Sequence, residues 1–180
     1  MNIGILHPGD MGITLSIPLQ QSGHKVVWPS FGRSQQTKDR ASQYGLEDVT
    51  YIENVLDKCP IIFVLCKNGG PLEIAEAVCK YGYQGVVCDA DNLWGEKSEL
   101  ELADKYFSHG IKYVDASLWG WPHNVGENYS QDRVMYLYGK YAESVKSLFT
   151  NDYWNIQILT SSAKAHKRYL TKKAQGRVDG

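Results

Sequence analysis

The run Ile61-Ile62-Phe63-Val64-Leu65 is apolar at every position. A strand with one wet face alternates apolar and polar side chains, so a strand of this kind must be covered on both faces, as in a helix–sheet–helix sandwich. Short β-branched runs recur along the chain, at Asn2–Leu6, Lys25–Trp28, Val49–Tyr51, Ile61–Cys66, Val86–Asp89, Lys112–Ala116, Val134–Tyr138 and Ile156–Leu159. Helical patterns separate them at Gly12–Ser22, Gln35–Tyr44, Ile52–Lys58, Pro71–Tyr81, Ser98–His109 and Lys140–Phe149. Gly23, Gly45, Gly82 and Gly110 stand where a left-handed residue ends a helix. The alternation predicts an α/β fold with a doubly wound, largely parallel sheet. Pro18 is expected to bend the first helix. The segment Leu118–Arg133 reads as a long loop between two strands, of a length often tied to function.

At 180 residues the chain fits one domain, and 43% hydrophobic residues suffice to close a core. Nineteen basic against twenty acidic residues leave a net charge of −1, which argues against a nucleic-acid or anionic-membrane partner. The N-terminal residues lack the pattern of a signal peptide and no apolar run is long enough to span a bilayer, so the expected location is cytoplasmic. The cysteines Cys59, Cys66, Cys79 and Cys88 have no CxxC spacing and read as buried free thiols. No metal site is expected.

The first strand runs through His7-Pro8-Gly9-Asp10-Met11-Gly12 into a helix, the context that a dinucleotide fingerprint requires. Gly9 lets backbone approach a pyrophosphate, Gly12 lets helix and strand pack closely, and the amides of Asp10, Met11 and Gly12 face anions at a positive helix end. His7 stands where the fingerprint has its first glycine. An NAD site usually has Asp or Glu after the second strand, to bind the adenosine ribose. This chain has Trp28-Pro29-Ser30-Phe31-Gly32-Arg33-Ser34 instead, and the guanidinium of Arg33 with the hydroxyls of Ser30 and Ser34 suits a 2′-phosphate, favouring NADP(H). The plainer reading makes Arg33 a solvated cation and Ser34 the cap of the next helix; capping and phosphate binding are compatible.

These residues resemble the β-hydroxyacid dehydrogenase and 6-phosphogluconate dehydrogenase superfamily, in particular its NADP-binding domain, over roughly residues 1–173. Ile3 to Gly12 resembles the family opening IGFIGLGxMG, in a branch with a His-Pro-Gly turn, and Ser22-Gly23-His24-Lys25-Val26 resembles AGHxV. Asp89-Ala90-Asp91-Asn92 resembles the end of the fifth strand, and Asp115-Ala116-Ser117-Leu118-Trp119-Gly120 the substrate loop DAPVSGG. Ser161-Ser162-Ala163-Lys164 resembles the start of the interdomain helix that carries the family's catalytic lysine.

The resemblance implies a Rossmann-type domain over 1–160, followed over 161–180 by the start of an interdomain helix and a basic tail. It implies an NADP-dependent dehydrogenase or reductase that moves hydride between the nicotinamide and a small hydroxy acid, carbonyl or imine. Lys164 would transfer the proton, Cys66, Lys67 and Asn68 would lie beside the nicotinamide ribose, and Asn92 and Ser117 near the substrate. Residues 164–180 contain six basic residues and one acidic, so Lys164 also fits a solvated basic helix. The family's long helical domain would extend beyond Gly180, so a homodimer or a partner chain is expected to supply the missing wall of the cleft. The alternative is a non-catalytic NADP-binding sensor or scaffold.

Overall fold

A computed structural model describes residues 1–66, 70–90, 96–123 and 133–163, with only the backbone of 96–99. The elements in chain order are β1 (Asn2–Ile5), α1 (Asp10–Gln21), β2 (Lys25–Trp28), α2 (Gln35–Gln43), β3 (Glu47–Asp48), α3 (Ile52–Lys58) and β4 (Ile61–Val64). They continue with α4 (Gly70–Tyr81), β5 (Val86–Asp89), α5 (Glu96–Ser108), β6 (Lys112–Trp119), β7 (Val134–Tyr138), α6 (Ala142–Lys146) and β8 (Asn155–Ile158). The eight strands form one sheet in the order β3-β2-β1-β4-β5-β6-β7-β8, parallel except where β7 runs against β6.

The sheet is covered on both faces, as the apolar β4 requires. Ile3, Ile5, Ile61 and Phe63 point toward α1, α2 and α6, while Val27, Ile62, Val64 and Val87 point toward α3, α4 and α5. All four residues of β4 are buried. The four glycines expected to end helices have φ between 69° and 80°, the left-handed value that a Cβ disfavours. All four cysteines are free, three buried and Cys66 half-buried. Burial pushes the Cys59 thiol up to about 12, so it is inert at neutral pH.

Three expectations need correction. The third strand is Glu47–Asp48, pairing with Val27 and Trp28, and not Val49–Tyr51. Thr50 breaks the chain there with φ 66°, and Tyr51 caps α3. The sixth strand does not stop at Ala116: Ser117, Leu118 and Trp119 pair antiparallel with Tyr136, Met135 and Val134, so the connection starts at Gly120. The sixth helix spans only Ala142–Lys146. Of the interdomain helix start and basic tail expected over 161–180, residues 164–180 lie outside the described residues. Helix α1 continues through Pro18 to Gln21.

Candidate nucleotide-binding site

Chain direction reverses its sense of winding between β1 and β4, the switch point at which doubly wound sheets open a crevice for ligands. The glycine turn lies at this crevice. Gly9 is the N-cap of α1, and the first helical bond runs from the Ile13 amide to the Gly9 carbonyl at 2.9 Å. The amides of Asp10, Met11 and Gly12 precede that bond and are left over by helix geometry. A Cβ on Gly12 would sit 2.3 Å from the His7 carbonyl oxygen, so helix and turn approach as only glycine permits. A Cβ on Gly9 would meet nothing within 4 Å. The Met11 side chain packs toward the core, leaving its backbone as the polar part of the turn.

Asp10 places a carboxylate at the positive end of α1, where it favours the helix but opposes an incoming phosphate. Arg40 on α2 pairs with it at 3.0 Å and offsets that charge. Beside this pair opens a cleft of about 530 Å³, lined by Asp10, Asp39, Arg40, Tyr44, His123 and two glutamines.

The second group of site residues follows β2. A turn closes from the Arg33 amide to the Ser30 carbonyl at 3.1 Å, with Gly32 at φ 71°. Ser30 is buried. Ser34 is the N-cap of α2 and accepts the Thr37 amide at 3.3 Å, so its capping role is present. Arg33 folds inward over the end of β1, where its Nη2 reaches the Leu6 carbonyl at a long 3.4 Å. Burial lowers its pKa from the ordinary value, while Cys66 beside it works the other way; a guanidinium remains charged at neutral pH.

His7 follows Leu6, whose carbonyl the same guanidinium reaches. Burial first, and the Arg33 charge second, lower its pKa to about 4, so the imidazole is neutral. Its Nδ1 and the Nε of Arg33 are shut off from solvent with no hydrogen-bond partner among the described residues. Buried polar atoms of this kind are uncommon and call for a partner. These observations fit a dinucleotide with a phosphorylated ribose: an open backbone turn for the pyrophosphate, and a cation with unused donors for the 2′-phosphate.

Toward the other end of the sheet, Asp89 and Asp115 are register partners on β5 and β6, and both are buried. Tyr113 donates to Asp89 at 3.0 Å, and Ser162 donates to Asp115 at 2.7 Å, tying the chain after β8 back to β6. Burial, and the two carboxylates after it, hold the Tyr113 phenol well above its usual pKa, so it stays a donor. Ser117 is 2% exposed within β6. Lys67, Asn68, Asn92 and Lys164 lie outside the described residues.

Sequence reasoning did not single out a second network. Arg133 is 1% exposed, donates to the Trp121 carbonyl at 2.9 Å and lies 4.8 Å above the Tyr153 ring. The Tyr153 hydroxyl meets His123 Nδ1 at 3.2 Å, and the His123 amide donates to the Thr14 hydroxyl at the start of the second turn of α1. The network therefore ties the segment after β6 to the glycine-turn helix. Its links join residues 12 to 109 positions apart, and no local pattern marks them.

The sheet order and the glycine turn at its switch point define a Rossmann-type α/β domain. No protein-family model and no curated protein matches the sequence. Solved structures match in fold. MTH1747, a conserved protein of unknown function described as structurally similar to 3-hydroxyacid dehydrogenases, superposes with a TM-score of 0.77 at 26% identity, covering 98% of this chain and 65% of that one. The imine reductase of Myxococcus stipitatus in complex with NADP+ gives 0.78 at 16% identity, covering 98% and 62%. The 3-hydroxyisobutyrate dehydrogenase of Mycobacterium tuberculosis, with L-serine, gives 0.76 at 14%, covering 98% and 66%. The chain thus spans less than two thirds of the length of these structures.

Proposed function

We propose that this chain binds NADP(H) and forms the cofactor half of an oxidoreductase of the hydroxyacid-dehydrogenase or imine-reductase type. The observation that carries the reading is the glycine turn at the switch point together with Arg33 and Ser34 after β2, where no carboxylate ends the strand. Gly9, Asp10, Met11 and Gly12 would hold the pyrophosphate through backbone amides. Ser30, Arg33 and Ser34 would hold the 2′-phosphate, and Cys66, Lys67 and Asn68 would border the nicotinamide ribose. The cofactor, when bound, supplies or accepts hydride. In this reading Lys164 donates or takes up the proton on the substrate oxygen or nitrogen, while Asn92 and Ser117 orient a small hydroxy acid, carbonyl or imine. A second protomer or a partner chain closes the cleft, which agrees with Trp121 being 78% exposed just after β6.

The test is a tryptophan-fluorescence titration with NADPH and then NADH. Binding selective for NADPH is expected. Arg33→Ala then weakens NADPH by about 1.5–3 kcal/mol, the range for hydrogen bonds to charged groups, and leaves NADH unchanged. Equal losses for both cofactors would refute the assignment of Arg33.

A further inference from the structure

The dinucleotide fingerprint has glycine, with no side chain, where this chain has His7. A residue that merely filled the space would be apolar, because an imidazole nitrogen buried without a partner costs stability that a leucine does not. Yet Nδ1 of His7 is buried and unpartnered among the described residues, and so is Nε of Arg33. The two atoms come from different segments, the turn after β1 and the loop after β2, and Arg33 reaches the carbonyl of Leu6, the residue before His7. Among the described residues the guanidinium makes one hydrogen bond, the long one from Nη2 to the Leu6 carbonyl at 3.4 Å. With its pKa lowered to about 4, the imidazole is uncharged and does not repel Arg33. It keeps one N–H and one acceptor nitrogen.

We propose that His7 and Arg33 together form the seat for a phosphorylated ribose: the guanidinium turns off the Leu6 carbonyl and opens both nitrogens, which are closed to solvent in the free chain, so that His7 Nδ1 and Arg33 Nε hydrogen-bond to the 2′-phosphate and the adjoining hydroxyl of an adenosine 2′-phosphate. This rests on the NADP(H) reading and adds to it a recognition residue at a position the fingerprint leaves bare. It also accounts for the unpaired nitrogens: they are a cost borne by the free protein and removed on binding.

The test is calorimetric titration of the full chain with 2′,5′-ADP and, separately, with nicotinamide mononucleotide, for the wild type, His7→Leu and His7→Asn. His7→Leu is expected to weaken 2′,5′-ADP about tenfold or more, the factor that one hydrogen bond to a charged group supplies. Nicotinamide mononucleotide is expected to bind all three alike, and His7→Asn, whose amide reaches the place of Nδ1, to recover most of the loss. In thermal melts without ligand, His7→Leu is expected to be at least as stable as the wild type, a combination that a merely structural histidine does not produce. If the wild type binds 2′,5′-ADP and His7→Leu binds it within about twofold, or loses both ligands equally, the seat is refuted while the cofactor reading stands. If the wild type binds neither ligand, both fall together.

Discussion

The two glycines of the turn between β1 and α1 differ in what surrounds them, and exchanging each for alanine should separate packing from binding. At Gly12 a methyl would lie 2.3 Å from the His7 carbonyl oxygen and 3.2 Å from its carbon. Ordinary contact distances require it to retreat by about 1 Å against backbone that is anchored in β1. Overpacking of this kind costs about 2–3 kcal/mol, offset by about 1 kcal/mol for replacing glycine in a helix. Gly12→Ala should therefore lose about 1–2 kcal/mol, a fall in melting temperature of roughly 2–8 °C for a chain of this size. At Gly9 the methyl meets nothing within 4 Å, and φ −71° with ψ −169° is open to alanine. The lost N-cap preference and the stiffer unfolded chain nearly cancel, so Gly9→Ala should stay within about 0.5 kcal/mol of the wild type. Its methyl would nevertheless occupy the approach proposed for the pyrophosphate, and NADPH affinity should fall about tenfold or more. Urea unfolding and NADPH titration of both variants measure the contrast. A Gly12→Ala variant as stable as the wild type would refute the rigid close approach, and a Gly9→Ala variant with unchanged affinity would refute the phosphate turn.

Three further outcomes follow from the geometry. His7 titrates near 6.5 when unfolded and about 4 when folded, so the unfolded chain binds the extra proton between these values and stability falls as pH drops through that window. The loss between pH 7 and pH 5 is at most about 2 kcal/mol, less where solvent reaches the ring, and His7→Leu should flatten that slope in acid urea titrations; an unchanged slope counts against a buried neutral imidazole. Ser162→Ala removes the 2.7 Å bond to buried Asp115 and should cost about 1.5–3 kcal/mol by urea unfolding, an unchanged midpoint showing that the tie carries no load. Arg133→Ala removes a buried guanidinium from the Tyr153 ring and the Trp121 carbonyl, with an expected loss of about 3 kcal/mol in thermal or urea unfolding; a loss under about 1 kcal/mol would show that solvent takes over its role.

Much of the fold was legible because its signals are local. The apolar run Ile61–Leu65 required cover on both faces, and the closing glycines marked helix ends by a backbone angle that side chains resist. The turn from His7 to Gly12 was readable for the same reason, since strand, glycines and helix are contiguous. Where the reading failed, a neighbouring strand had decided. Ser117, Leu118 and Trp119 extend β6 because β7 lies beside them to pair with, and β3 sits at Glu47–Asp48 because those residues meet Val27 and Trp28 in register.

The chain's alternation of periods by itself determined the layered α/β class, the place of the glycine turn and the basic, carboxylate-free loop after β2. Tertiary structure alone decided which polar groups meet. It set a neutral His7 within reach of the Arg33 charge, Arg40 against Asp10, Ser162 on Asp115, and Arg133 over Tyr153. The physical reason is that backbone propensity and hydrophobic period act over a few residues, whereas burial, charge pairing and hydrogen-bond satisfaction depend on atoms that only chain folding brings within a few ångströms.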